Sequence, residues 1–349
     1  MSLNHPKRPS PVPPAAQTGP EAGLIDGFGR RITYVRMSVT DRCDLRCVYC
    51  MGEDTGFVPR SQLLTLEEMA RLGRCFSELG VTRLRITGGE PLMRRNVLWL
   101  FERLGALPGV HDLSLTTNGT QLVRHAPALR AAGVTRVNIS LDSLRRSRFR
   151  AITRLGRIEQ TLDGIEAAQR AGFARIKLNS VILQNRNHDE VCDLTAFAVE
   201  RGLDISFIEE MPLGPVSDHN RAETFYPSAR IRADLGQRFE LIPTTETSGG
   251  PSRYWRIVGS ETRVGFISPH SHNFCGDCNR VRVTCEGRLL LCLGQEHSAD
   301  LRRAMRAHPL DDTRVKQAIV AAMAIKPKAH EFNLSGQPVA LRHMNATGG

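Results

Sequence analysis

The chain of 349 residues has little that would tie it to a membrane, an oxidising compartment or a nucleic-acid surface. No apolar run approaches the roughly 20 residues that a membrane-spanning helix needs. The opening MSLNHPKRPSPVPPAAQTGPEAG lacks the apolar core of a secretory signal. Its proline load predicts a disordered or extended leader over residues 1–20. Nine cysteines are an odd count, and with no signal a disulfide framework is not expected; the reducing cytoplasm is the expected compartment. Aromatic residues make up only 5%, and no run interleaves them with basic ones, so a base-stacking platform is missing. Neither a membrane nor a nucleic acid is expected as a partner. Acidic residues are outnumbered, 36 against 47 basic, leaving a net charge of +11. That excess suits a solvated basic surface or a pocket for a polyanionic small molecule such as a nucleoside triphosphate, and charge alone does not separate the two.

From residue 34 to about 211, β-rich runs alternate with helix-period segments. The runs are YVRMSV (34–39), TRLRIT (82–87), DLSLTT (112–117), TRVNIS (135–140), ARIKLNSVI (174–182) and DISFIE (204–209). Gly80, Gly133, Gly172 and Gly202 stand where helices end before the next strand. Such alternation predicts an α/β fold with a parallel sheet, and six units suit an incomplete, TIM-like (βα)6 barrel. The runs end in TGGEP, TTNG, SLDS and EEMP, which places polar and glycine-rich loops on the C-terminal face where barrel enzymes hold their sites. The barrel is expected to span 21–215. A C-terminal region follows over 216–349, with an irregular linker in 212–255, short strands in 256–295 and helices in 298–325.

Two cysteine groups carry the chemistry. Cys43, Cys47 and Cys50, in CDLRCVYC, follow the first strand with CxxxCxxC spacing. Zinc sites need four ligands, commonly in CxxC pairs. Three thiolates fit a [4Fe–4S] cluster with one iron open, while a zinc knuckle with a distant fourth ligand is the alternative. Cys275 and Cys278 form a CxxC, and Cys292 follows after thirteen residues. A four-cysteine zinc site completed by Cys285 is the alternative here. Alternation in RVRVTC puts Arg280, Arg282 and Thr284 on one strand face and Cys285 on the other. Two arginines on one face beside a metal suit an anion, since the guanidinium fork matches phosphate.

The CxxxCxxC loop with Tyr49 before its last cysteine, followed one unit later by the GGE of TGGEP, resembles the radical S-adenosylmethionine (SAM) superfamily. Within it, RMSVTDRCDLRCVYCM, RLRITGGEPLMRR, LTTNG, RVNISLDSL, IKLNSVI, FIEEMPLG, NFCGDCNRVRVT and the terminal Gly-Gly are similar to the GTP 3′,8-cyclase family. The resemblance implies that Cys43, Cys47 and Cys50 hold a [4Fe–4S] cluster whose open iron binds SAM, which is cleaved to methionine and a 5′-deoxyadenosyl radical. It implies a second [4Fe–4S] cluster on Cys275, Cys278 and Cys292, with GTP bound between the two. Tyr49, Gly89, Ser140 and Met211 match SAM contacts, and Arg36, Arg85, Thr116, Lys177, Arg280 and Arg282 match GTP contacts. Gly348–Gly349 is implied to reach the site. The implied partners are GTP, an external electron donor and the cyclic pyranopterin monophosphate synthase that receives the product; the implied assembly is a homodimer. Ser206 departs from the family, standing where many members carry an arginine, with Arg253 as a possible substitute. Cys285 lies outside the family pattern and is not expected to be a ligand.

Overall fold

A computed structural model describes residues 23–52, 55–215, 219–334 and 340–348. The expected leader (1–20) and Gly349 lie outside the described residues.

Six strands form in the expected order: β1 (Tyr34–Ser38), β2 (Arg83–Thr87), β3 (Asp112–Thr117), β4 (Arg136–Ser140), β5 (Arg175–Ile182) and β6 (Asp204–Glu209). The helices between them are α1 (Leu66–Glu78), α2 (Val97–Gly105), α3 (Leu122–Ala131), α4 (Arg146–Thr153), α5 (Ile158–Arg170) and α6 (Val191–Glu200). Gly80, Gly133, Gly172 and Gly202 end four of these helices with φ between +64° and +90°, a region that side chains with a Cβ rarely enter.

All six strands pair in parallel and in sequence order. Their residues alternate in character, unlike the near-continuous apolar runs of a sheet buried on both faces. Leu84, Ile86, Leu115, Val137, Ile139, Leu178, Ile205 and Phe207 are fully buried in the single large core that the strands share with the helices. The intervening Arg36, Arg85, Thr116, Asn138, Lys177 and Ser206 alternate with that apolar set along the strands. The period of two therefore reports a polar lumen.

The C-terminal region adds α7 (Arg221–Thr224), α8 (Ser228–Gly236), β7 (Leu241–Pro243), β8 (Arg253–Ile257), β9 (Arg263–Ile267), β10 (Arg280–Val283), β11 (Arg288–Leu290), β12 (Ser298–Asp300), α9 (Leu301–Ala307), α10 (Asp312–Met323) and α11 (Met344–Thr347). Its strands extend the same sheet at both edges, in the order β12-β11-β10-β1-β2-β3-β4-β5-β6-β9-β8-β7. β10 runs parallel to β1 and β9 parallel to β6, so eight parallel strands line up before the antiparallel hairpins begin. The order does not close on itself, as an incomplete barrel requires.

The expected irregular linker over 212–255 is replaced by α7, α8, β7 and the start of β8. α8 is held by burying Ile231 and Leu235 and by packing on α6 and β6. Such short elements are stabilised by tertiary contact, which overrides weak local patterning. Among the described residues no helix is long and apolar enough to cross a membrane.

Candidate active site

The loop carrying Cys43, Cys47 and Cys50 leaves the C-terminal end of β1 and is fixed at several points. Arg46 and Val48 donate backbone hydrogen bonds to Thr153 and Ile152 at the end of α4, at 2.9 and 3.0 Å. Asp44 accepts from Asn118 Nδ2 at 2.6 Å and from Thr120 Oγ1 at 2.7 Å, which ties the loop to the end of β3. Tyr49 donates to Asp142 Oδ2 at 2.7 Å, and Asp142 Oδ1 accepts from the Val181 amide at 2.9 Å. Burial raises the Asp142 carboxyl to about 6.

TGGEP packs directly beneath this loop. Gly89 donates to the Thr40 carbonyl at 2.7 Å and Glu90 to that of Arg42 at 2.8 Å. A Cβ on Gly89 would stand 2.4 Å from the Arg42 carbonyl oxygen and 2.8 Å from that of Asp41, both backbone atoms. Glu90 is fully buried and accepts from Thr117 Oγ1 at 2.9 Å, the Asn118 amide at 2.7 Å and the Leu92 amide at 3.0 Å. Its carboxyl is pushed up to about 7 by burial. The GGE segment is thus the joint between the cysteine loop and the β3 loop. Gly89→Ala is expected to displace the loop and lower iron incorporation at the first cysteine group, read as iron content and visible absorbance after anaerobic reconstitution.

The second group sits at the other end of the same strand. Cys278 precedes β10, whose first residue, Arg280, lies level with Tyr34 at the start of β1. Cys292 follows β11, which returns antiparallel to β10 with Leu290 opposite Arg282. The hairpin explains the spacing of thirteen residues, because it brings its two ends back together. The two cysteine groups therefore stand across the five residues of β1, roughly 16 Å of strand. Both line one cavity.

Between them runs a row of cations. Arg36, in the middle of β1, is level with Arg282 on one side and Arg85 on the other. Lys177 on β5 is level with Asn138, and Asn138 with Thr116. None of the ion pairs among the described residues involves Arg85, Lys177, Arg280 or Arg282. Burial, with Arg85 and Arg280 adding to it, lowers Arg36 to about 10. Burial and then Arg36 and Arg280 hold Arg282 well below its ordinary value. Burial and Arg85 lower Lys177. These groups disfavour one another's charge, so the cavity has a strong electrostatic demand for an anion.

The sixteen residues matched to cluster, SAM or GTP contacts in the sequence all line this cavity. Cys43, Cys47, Cys50, Tyr49, Gly89, Ser140 and Met211 line it, as do Arg36, Arg85, Thr116, Lys177, Arg280, Arg282, Cys275, Cys278 and Cys292. Ser140 does not cap the next helix, whose N-cap is Arg145. Gly348 packs against Thr87 and Ser38, and its carbonyl accepts from Arg282. Arg253 is exposed and is not among the cavity-lining residues, so it does not substitute for the missing arginine at Ser206. Ser206 instead bonds Ser252 at 3.0 Å. Cys285 is buried away from the cavity lining, and its carbonyl accepts from Leu64 at 2.8 Å.

The donor sets fit iron–sulfur clusters. Among the described residues no three Cys, His, Asp or Glu side chains converge tightly enough to hold one metal ion. Yet the thiols of each group are close enough to raise one another, beyond the larger effect of burial. A cluster spreads its thiolates over separate irons, so three thiols need not converge on one point to hold it. Burial takes the Cys50 thiol to about 12, so metal binding there must displace a firmly held proton.

Sequence reading missed three groups. Asp142 lies two residues after Ser140 in the SLDS strand end. Tyr254, next to the mistaken Arg253, contacts Lys177 Nζ at 3.4 Å and Ser248 Oγ at 3.0 Å. Lys326 reaches Cys278 Sγ at 3.5 Å. The last two lie far along the chain from their partners, with no local pattern to reveal them.

Residues 37–198 match the radical SAM superfamily and residues 203–332 match Molybdenum Cofactor Synthesis C. The chain is 59% identical over 326 residues to the GTP 3′,8-cyclase of Ectopseudomonas mendocina (strain ymp), covering 93% of this chain and 98% of that protein. It is 57% identical over 326 residues to that of Saccharophagus degradans (strain 2-40), with the same coverage. Among solved structures, Streptococcus suis SuiB bound to S-adenosylmethionine superimposes with a TM-score of 0.56 at 16% identity, covering 77% of this chain and 63% of that one. The chain thus spans less than two thirds of SuiB's length, and that likeness concerns the fold. The chain belongs to the radical SAM superfamily and, within it, to the family of GTP 3′,8-cyclases.

Proposed function

We propose that this chain converts GTP to 3′,8-cyclo-7,8-dihydro-GTP at the expense of SAM, the first step of molybdenum cofactor biosynthesis; its relatives are named GTP 3′,8-cyclase, and residues 203–332 match Molybdenum Cofactor Synthesis C. The observation that carries the reading is the placement of a row of cations halfway between two three-cysteine groups in one cavity. Cys43, Cys47 and Cys50 would hold the first [4Fe–4S] cluster, and Cys275, Cys278 and Cys292 a second. When bound, the first cluster supplies the electron that cleaves SAM, and the second offers an open iron to the purine.

The protein's own work is binding and exclusion. Arg36, Arg85, Lys177, Arg280 and Arg282 neutralise the triphosphate, and Thr116 adds a buried hydroxyl with no hydrogen-bond partner among the described residues. Tyr49, Gly89, Ser140 and Met211 surround SAM. Asp142 locks the Tyr49 phenol, and through it the pitch of the cysteine loop. Burial of the lumen keeps water from the reacting ribose. The reading carries with it an external one-electron donor, a cytoplasmic setting, a homodimer and a cyclic pyranopterin monophosphate synthase that takes the product.

Anaerobic turnover of the reconstituted chain with SAM and GTP tests it. The expected result is 5′-deoxyadenosine and a cyclised nucleotide in equal amounts. Cleavage of SAM without any nucleotide product would overturn the reading.

A further inference from the structure

Lys326 is a buried ammonium in an unusual setting. Its residue is only 2% exposed, and no ion pair among the described residues involves it. Its Nζ has two partners, the Leu291 carbonyl at 2.6 Å and Cys278 Sγ at 3.5 Å. Burying a cation is unfavourable unless a negative partner is supplied. A carbonyl dipole offsets part of that cost. The remaining candidate for the negative partner is the sulfur of Cys278, which is an anion when it binds iron.

The placement of Lys326 is set by its surroundings. It follows α10, and its amide bonds the Met323 carbonyl at 3.2 Å. The next two residues are clamped by Arg30, whose guanidinium donates to the Pro327, Lys328 and Cys275 carbonyls, each at 2.7 Å. Arg30 is itself held by Asp26 at 2.7 Å. One arginine therefore fixes the Lys326 segment against the very loop that presents Cys275 and Cys278. Through Leu291 and Cys278 the ammonium also touches both ends of the β10–β11 hairpin, the two places from which the second cysteine group is assembled.

We propose that Lys326 is a positioning residue for the second cluster, its ammonium serving as the internal counter-ion of the Cys278 thiolate and favouring the reduced cluster. The inference rests on the reading that Cys275, Cys278 and Cys292 hold a cluster. One-electron reduction adds a negative charge to that centre, and a fixed cation donating to a ligand sulfur stabilises the more negative state. The direct contact is to Cys278, and the charge of the same ammonium also reaches Cys292, where it favours the thiolate against the effect of burial.

The test uses the full reconstituted chain, with Lys326→Met removing the charge at near-equal length and Lys326→Arg keeping it. Iron content and potentiometric EPR titration are read for both clusters, and the SAM-perturbed first cluster is the internal control. In Lys326→Met the midpoint of the second cluster is expected to move to more negative potential, while the first midpoint stays unmoved and the rate of SAM cleavage without GTP stays within about twofold of wild type. Lys326→Arg is expected to restore the wild-type midpoint. If Lys326→Met fails to load the second cluster while Lys326→Arg loads it, the charge requirement stands. A loaded Lys326→Met with an unmoved midpoint overturns the proposal, as does equal failure of both variants, which would make Lys326 a spacer. Wild-type protein with about four irons per chain would overturn the second-cluster reading itself, a separate failure.

Discussion

Cys292→Ala, assayed after anaerobic reconstitution, is expected to hold about four irons per chain where the wild type holds about eight, and to form no cyclised nucleotide. It should still bind SAM and cleave it slowly in the presence of reductant. The separation follows from the geometry. The two cysteine groups lie at opposite ends of β1, and the first is fixed by Asp44, Tyr49, Arg46 and Val48 through contacts that do not pass through β10 or β11. Removing one thiol from three leaves two, too few to hold a cluster with an open iron. Cys285→Ala is the paired control and is expected to keep the full iron content, because Cys285 is buried outside the cavity lining. Iron falling in Cys285→Ala would restore the four-cysteine zinc alternative, and zinc would then appear by elemental analysis. Full iron content in Cys292→Ala would remove Cys292 from the ligand set.

The barrel was legible because each of its units repeats the same local signals. Leu66–Glu78 and Ile158–Arg170 follow the helical period, and the glycines after four helices mark the return to the sheet. The alternation in RLRIT, RVNIS and RIKLNS read correctly as strand. What the period could not say was that its polar half faces a lumen; that follows from register, in which Arg282, Arg36 and Arg85 fall side by side from strands some 250 residues apart at the extreme. The C-terminal region was read less well. α8 and β7 are short, and their stability comes from packing on α6, β6 and β8 rather than from a repeating pattern. The cysteines stood out in the sequence since thiols at such spacing have few uses other than metal binding, and both groups line the one cavity. Groups that act on them from elsewhere were not. Tyr254 meets Lys177 across 77 residues and Lys326 meets Cys278 across 48, and a lone tyrosine or lysine carries no sign of its partner.

The cation row makes an opposite pair of demands on the protein, and Arg282 is where they are most sharply separable. Burial, Arg36 and Arg280 all disfavour its charge. Arg282→Met relieves that repulsion in a buried site, so the thermal midpoint of the nucleotide-free chain is expected to equal or exceed that of wild type. GTP should then raise it by less than it raises the wild type, since stabilisation by a ligand follows its affinity. The loss of one charge-assisted contact, about 1.5–3 kcal/mol, corresponds to a rise in KM for GTP of about 10- to 150-fold. Lys177→Met should produce a rise in KM of the same order with little change in kcat. Arg282 has a further bond that Lys177 lacks. It donates to the Gly348 carbonyl, and the segment ending there reaches the first cysteine loop through Met344, whose amide bonds the Cys50 carbonyl at 3.1 Å, and through Asn345 Nδ2, which bonds the Asp41 carbonyl at 2.9 Å. Losing Arg282 therefore loosens the wall of the first site as well as the triphosphate clamp, and kcat should fall together with the rise in KM. Arg282→Lys keeps the charge but not the fork, so it should recover more of KM than of kcat. A variant that lost stability without GTP, or that changed KM alone, would show that the arginine serves the fold or the phosphate only, and that the contact with Gly348 has no part in turnover.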